Sequence, residues 1–161
     1  MTDTRTTPAT AADPTVAAAA AQLLTPVVLG LQALAVNGKQ AHWNVRGANF
    51  IAIHELLDTV VDHAKEAADE AAERIVALGL PVDARLSTIS TKATASAVPA
   101  GFTPWDAMCR AMIADLDAVI ADVKAAVDGL DEVDLTSQDV AISIQQTLEK
   151  DRWFLFAHLA E

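Results

Sequence analysis

Between residues 54 and 73 the chain carries two pairs of side chains able to hold a metal ion: His54 with Asp58, and Asp69 with Glu73. Members of each pair stand four residues apart, so on an α-helix they project from one face and can converge on one point. Imidazole combined with several carboxylates suits iron, manganese or zinc rather than calcium or magnesium. His54, Asp58, Asp62, Lys65, Glu66, Asp69 and Glu73 all fall within roughly 120° of one another at 100° per residue. A solvated helix face is the plainest account of such a stripe. His42 asks for more, because it falls on an otherwise apolar stripe of the preceding segment, where an imidazole without partners costs free energy. A hydrogen-bonded core histidine would meet that need as well as a ligand would.

Distance then limits what the two pairs can do. Their centres, near residues 56 and 71, are about 22 Å apart at 1.5 Å per residue, so one helix cannot bring both to one metal centre. No other segment offers the Glu-x-x-His motif that bundles with an internal di-iron site place on their partner helices. A second copy of the helix must supply the rest. If two copies pack antiparallel about a twofold axis near residues 63 and 64, His54 and Asp58 meet Asp69 and Glu73 of the partner subunit, twice. Bound cations would neutralise the acidic face as it is buried, and an isolated monomer would be inactive.

The elements that must position these residues are legible from periodicity and punctuation. Residues 1–13 are small and polar without an apolar period and read as a tail. Asp13-Pro14 supplies an N-cap and a first-turn proline. Leu24, Val27, Leu31, Leu34 or Ala35, Gly38 and His42 then follow at helical steps, with Pro26 expected to kink or restart the helix. A turn around Gly47 separates this helix from a second, predicted over Phe50 to Leu78 and ended by Gly79 and Pro81. Residues 80–102 form a long crossover with room for one short helix. Thr103-Pro104 restarts a helix whose stripe is Trp105, Cys109, Met112, Leu116, Val119, Val123, Ala126 and Leu130. An acidic connection, Asp128 to Asp134, leads to a last helix reaching about His158, with Thr136 and Asp139 as a variant capping box. Four long helices and one long crossover make an all-α, ferritin-like four-helix bundle, one domain over residues 14–161.

Composition bounds the partners. The 161 residues are 52% hydrophobic, lack tyrosine and carry a net charge of −11, with a mean hydropathy of +0.27 and a pI near 4.6. Apolar surface in excess of one small core favours a homo-oligomer, and the charge attracts cations while repelling nucleic acid and anionic lipid. Cys109 is the only cysteine, so no intrachain disulfide or thiolate cluster forms, which is compatible with a reducing cytoplasm. Pro14 to Gly38 carries no charge, yet Gln22, Thr25, Gln32 and Asn37 interrupt it and no basic region precedes it. A helix buried in protein explains it better than a membrane span or a secretory signal.

The segments KQAHWNVRGANFIAIHELLD and DEAAERIVALG resemble the signature of the Dps family, the DNA-protecting proteins of starved cells, and the likeness in motif and helix order extends over about residues 14–160. In that family an intersubunit ferroxidase centre holds two irons, Fe(II) passing to Fe(III). The resemblance assigns its ligands to His42, His54, Asp58, Asp69 and Glu73. Trp43 resembles the family's aromatic residue beside the centre, thought to take up oxidising equivalents, and an ordinary core tryptophan is an equal reading. The resemblance further implies a hollow dodecamer that oxidises Fe(II) with hydrogen peroxide in preference to dioxygen and stores ferric mineral. Asp128, Asp131, Glu132, Asp134 and Asp139 match the acidic pores that admit iron in the family, against the plain alternative of a solvated connection. The sequence departs from the pattern in its tails, where Arg5 is opposed by Asp3 and Asp13 and AHLAE adds no lysine or arginine. Phosphate neutralisation supplies most affinity for DNA, so direct DNA binding is expected to be weak or absent. The expected location is the cytoplasm, or the nucleoid if DNA is bound. A metal-dependent hydrolase using the same dinuclear site as a Lewis acid, and a non-catalytic structural bundle, are the alternative functions.

Overall fold

A computed structural model describes residue 10 and residues 12–159 of the chain; most of the expected tail, residues 1–13, lies outside the described residues. The first helix, α1 (Pro14–Asn44), opens where expected, with the Asp13 carboxylate accepting the amides of Thr15 and Val16. Those two donors hold the Asp13 carboxyl below its usual range. Helix α1 runs unbroken through Pro26 rather than restarting there. The carbonyl that Pro26 leaves without an amide belongs to Gln22, an exposed residue that water can serve, and Leu24, Val27 and Val28 on either side are fully buried. By length and composition α1 would be apolar enough to cross a bilayer, but half of its most apolar window is buried inside the bundle.

A two-residue strand, β1 (Val45–Arg46), and a turn at Gly47 lead into α2 (Phe50–Ala77). Gly47 has φ 115°, and a Cβ there would come within 3.0 Å of the Trp105 ring, so conformation and space both require glycine. Helix α2 ends in a Schellman motif: the Gly79 amide bonds the Val76 carbonyl and the Leu80 amide bonds the Ile75 carbonyl. The crossover contains the short helix α3 (Leu86–Lys92) and returns to β2 (Thr103–Pro104), which pairs in parallel with β1. This miniature sheet has no signal in the sequence pattern. Two side chains fasten the crossover: Asp115, 8% exposed, accepts the Ala97 amide at 2.7 Å and the Ser96 hydroxyl, and the Arg46 guanidinium lies 3.3 Å over the Phe102 ring.

Helices α4 (Trp105–Leu130) and α5 (Leu135–Ala157) complete the bundle. Helix α1 packs against α2 and α4, and α5 against α4 and α2. Because β1 follows α1 and β2 precedes α4, the crossover must carry the chain the full length of the bundle. The expected stripes form the core: Leu24, Leu31 and Leu34 of α1 and Met112 and Leu116 of α4 all lie in it, at or below 1% exposure. Cys109 is buried there too, and burial pushes its thiol up to about 11. One boundary differs from expectation, since α5 starts at Leu135 with Asp134, not Thr136, at the N-cap. The Asp134 carboxylate is taken by side chains, Arg74 at 2.7 Å and Ser137, which leaves no capping box.

His63 sits at the middle of α2 but turns away from the acidic face toward α5, where its Nδ1 lies 2.9 Å from the carboxylate of Asp151, a residue only 1% exposed. Burial raises the Asp151 carboxyl above its ordinary value, against the lowering effect of His63. His63→Ala leaves a buried carboxylate without its partner and is expected to cost about 1–3 kcal/mol at neutral pH. The cost should shrink as pH falls toward the raised Asp151 value, because protonation removes the buried charge. Urea unfolding of both proteins between pH 7 and pH 5 measures this; a pH-independent difference would contradict it.

Candidate metal centre

The close packing of α1 on α2 brings His42 and His54 face to face. The His42 Nδ1 lies 2.8 Å from the His54 carbonyl and the His54 Nδ1 lies 2.9 Å from the His42 carbonyl. A carbonyl only accepts, so both rings carry their proton on Nδ1 and keep the Nε2 lone pair for a ligand. The rings stack with centroids 3.6 Å apart and planes 23° from parallel. His42 is therefore a satisfied, buried histidine at 6% exposure that still has a donor atom to offer. The bland and the functional readings of it are compatible.

Asp58, one turn beyond His54, comes within 3.3 Å of His42 Nδ1. One of its oxygens is held by Lys39 Nζ at 2.5 Å. The Lys39 ammonium holds the Asp58 carboxyl below its usual range, and the two imidazoles act in the same direction. Lys39 thus occupies, within the subunit, the position of a cation. Sequence reasoning passed over it, although it lies three residues before His42 on the same side of α1.

Asp69 and Glu73 lie on the exposed face of the C-terminal half of α2, beside an apolar cleft formed with Ala72, Val76, Ala77 and Val82. Among the described residues of one chain, no group of three or more His, Cys, Asp or Glu side chains comes within reach of one metal ion. The fold gathers His42, His54 and Asp58 and leaves Asp69 and Glu73 at a distance, as the helical rise requires. Trp43 is 65% exposed, so it is no core tryptophan. The Phe50 ring lies 5.0 Å from that of His54, a neighbour not singled out beforehand. Asp62 and Glu66 are exposed on the same helix, Asp62 with Lys65 at 3.4 Å.

The acidic junction of α4 and α5 is less uniform than its composition. Asp128, Asp131, Glu132 and Asp139 are exposed, and Asp131 accepts the Gln138 amide at 3.1 Å. Asp134 is committed to Arg74 and Ser137, a bridge from α2 to the start of α5, and is lost as a free carboxylate. Arg74, next in sequence to Glu73, ties that end of α2 to the junction.

Known proteins resemble this chain across most of its length. A model of the ferritin-like domain matches residues 22–161. The structure of Dps from Microbacterium arborescens in its high iron form is 69% identical, with a TM-score of 0.91 over 93% of this chain and 98% of that one. The DNA protection during starvation protein of Mycolicibacterium smegmatis is 39% identical over 75% of this chain, which spans about two thirds (66%) of that relative. Its namesake from Agrobacterium fabrum is 36% identical over 80% of each chain.

Lys39 generates a prediction of its own. A cation that enters beside Asp58 must displace the ammonium or tolerate it, so Lys39→Met should tighten anaerobic Co(II) binding, by roughly two- to fivefold for a partly exposed ion pair. Titration calorimetry measures it; weaker binding in the variant would show instead that Lys39 positions Asp58 for the metal.

Proposed function

Because the chain belongs to the Dps family of ferritin-like proteins, a family of iron storage and protection against oxidative stress, we propose that it oxidises Fe(II) at paired centres shared between two subunits. The observation that carries this reading is the stacked His42–His54 pair with both Nδ1 atoms tied to backbone carbonyls and both Nε2 atoms free. Each centre joins His42, His54 and Asp58 to Asp69 and Glu73 of the partner subunit.

The residues act by division of labour. The imidazoles are pre-oriented donors that need little reorganisation when Fe(II) arrives, since a carbonyl of the opposite helix fixes each ring. The carboxylates compensate charge and favour the ferric product. Hydrogen peroxide, the preferred oxidant over dioxygen, takes one electron from each of two Fe(II) and, with two protons, leaves as two waters. Paired transfer avoids the hydroxyl radical that a one-electron step would release. Trp43, exposed beside His42, is placed in sequence to absorb stray oxidising equivalents. Asp128, Asp131, Glu132 and Asp139 guide cations toward a storage cavity in a dodecameric shell, Asp134 serving structure instead. With a net charge of −11, direct binding to DNA is weak or absent at physiological salt, and protection is chiefly chemical, in the cytoplasm. Nothing about the cleft residues favours the hydrolase reading.

Shared centres give an unusual test. His54→Ala and Glu73→Ala should each abolish rapid peroxide-driven Fe(II) oxidation. Refolded together, the two inactive chains should recover roughly a quarter of wild-type activity, because half of random dimers are mixed and each mixed dimer keeps one of its two centres intact. Stopped-flow oxidation assays measure this, and no recovery from mixed chains would count against sharing.

A further inference from the structure

The exposed face of α2 is acidic in its middle and apolar at its ends. At 100° per residue Ile51 and Val76 fall within the arc of His54, Asp58, Asp69 and Glu73, one three residues before the first ligand pair and the other three residues after the last. They are 60% and 58% exposed. Val76 belongs to the apolar cleft of Ala72, Ala77 and Val82 that borders Asp69 and Glu73. Ile51 is next to Phe50, which is itself 36% exposed and packs on His54. Large apolar side chains in open solvent at both limits of a charged stripe call for a cover.

We infer that Ile51 and Val76 form a reciprocal apolar clamp between two copies of this chain, each Ile51 seating in the cleft around the partner's Val76. The inference rests on the antiparallel pairing proposed above. The register that sets His54 opposite the partner's Glu73, and Asp58 opposite the partner's Asp69, also sets Ile51 opposite the partner's Val76 and Phe50 opposite the partner's Ala77. It leaves no further choice. The same register places Lys65, the one cation of the stripe, opposite the partner's Asp62 near the axis, so attraction and apolar contact occur together. A parallel pairing would oppose carboxylate to carboxylate along the whole face and leave each cleft empty.

Two consequences follow. Each metal centre is closed at its outer end by an apolar plug, which excludes water and strengthens the electrostatics within. Association also acquires a driving force that needs no metal, so the metal-free chain should already pair through α2. The twin clamps fix register as well, because sliding one helix by a turn would bring Ile51 over the charged residues.

Cross-linking of the full chain decides it. The metal-free double variant Ile51→Cys/Val76→Cys, mildly oxidised, should run as a covalent dimer on a non-reducing denaturing gel, while each single variant stays monomeric; the buried Cys109, its thiol raised to about 11, should remain silent. As a second measure, Ile51→Lys and Val76→Asp should each shift native mass below that of the unmodified assembly, and the two combined should restore it. Absence of cross-link in the double variant, or cross-linking of Ile51→Cys with itself, overturns the clamp. Fe(II) oxidation by the unmodified chain separates the two ideas. A cross-linked dimer from a chain that ignores iron supports the clamp and sinks the iron reading, and an iron-oxidising chain that does not cross-link sinks the clamp alone.

Discussion

The fixed rise of an α-helix governs the chemistry proposed for this molecule. Two ligand pairs on α2 are held about 22 Å apart by 1.5 Å per residue, and no rotamer or hinge within a continuous helix from Phe50 to Ala77 can bring them together. The rigidity that separates them also aligns them on one face, and in the proposed pairing a second copy in one antiparallel register completes both centres at once. A loop-borne site would have allowed a monomeric solution; in the proposed function a helix-borne one makes assembly a condition of the chemistry.

The rest of the fold serves to keep α2 straight and its face clear. Helix α1 covers one flank and contributes His42 through a bond exchanged between main chain and side chain, each histidine's carbonyl orienting the other's ring. Helix α5 covers the other flank and is tied to α2 by two polar links, His63 to Asp151 and Arg74 to Asp134. The crossover that returns the chain to α4 is fastened by Asp115 and by the β1–β2 pair. Apolar side chains excluded from this core gather in part around the ligand face, where Trp43, Ile51 and Val76 stand exposed. In a protein that works as an assembly such residues are surfaces in waiting rather than errors of patterning.

Electrostatics follow the same plan. A net charge of −11 is not spread evenly. The Asp134 carboxylate, held by Ser137 and Arg74, stays below its ordinary range and supports the fold. The rest of the α2 face and of the α4–α5 junction stays open to solvent. Lys39 on Asp58 balances part of the acidic charge of this face inside one subunit.

The sequence alone determined what depends on local spacing. The apolar periods of α1 and α4, the Asp13 cap and the Gly79 stop read correctly because periodicity and capping are nearest-neighbour physics, and the placement of His54, Asp58, Asp69 and Glu73 on one face follows from helical geometry. The convergence of His42 on His54 was legible only as a buried imidazole needing a partner. That each ring bonds the other's carbonyl, that Lys39 already neutralises Asp58, that Asp134 is spent on Arg74 rather than left free, and that Trp43 points to solvent were decided by the packing of helices far apart in sequence. Spacing along the chain says which side chains share a face. Only the approach of a second helix says which of them are left free, because hydrogen bonds and ion pairs across 19 residues for Lys39 and 60 for Arg74 have no period to announce them.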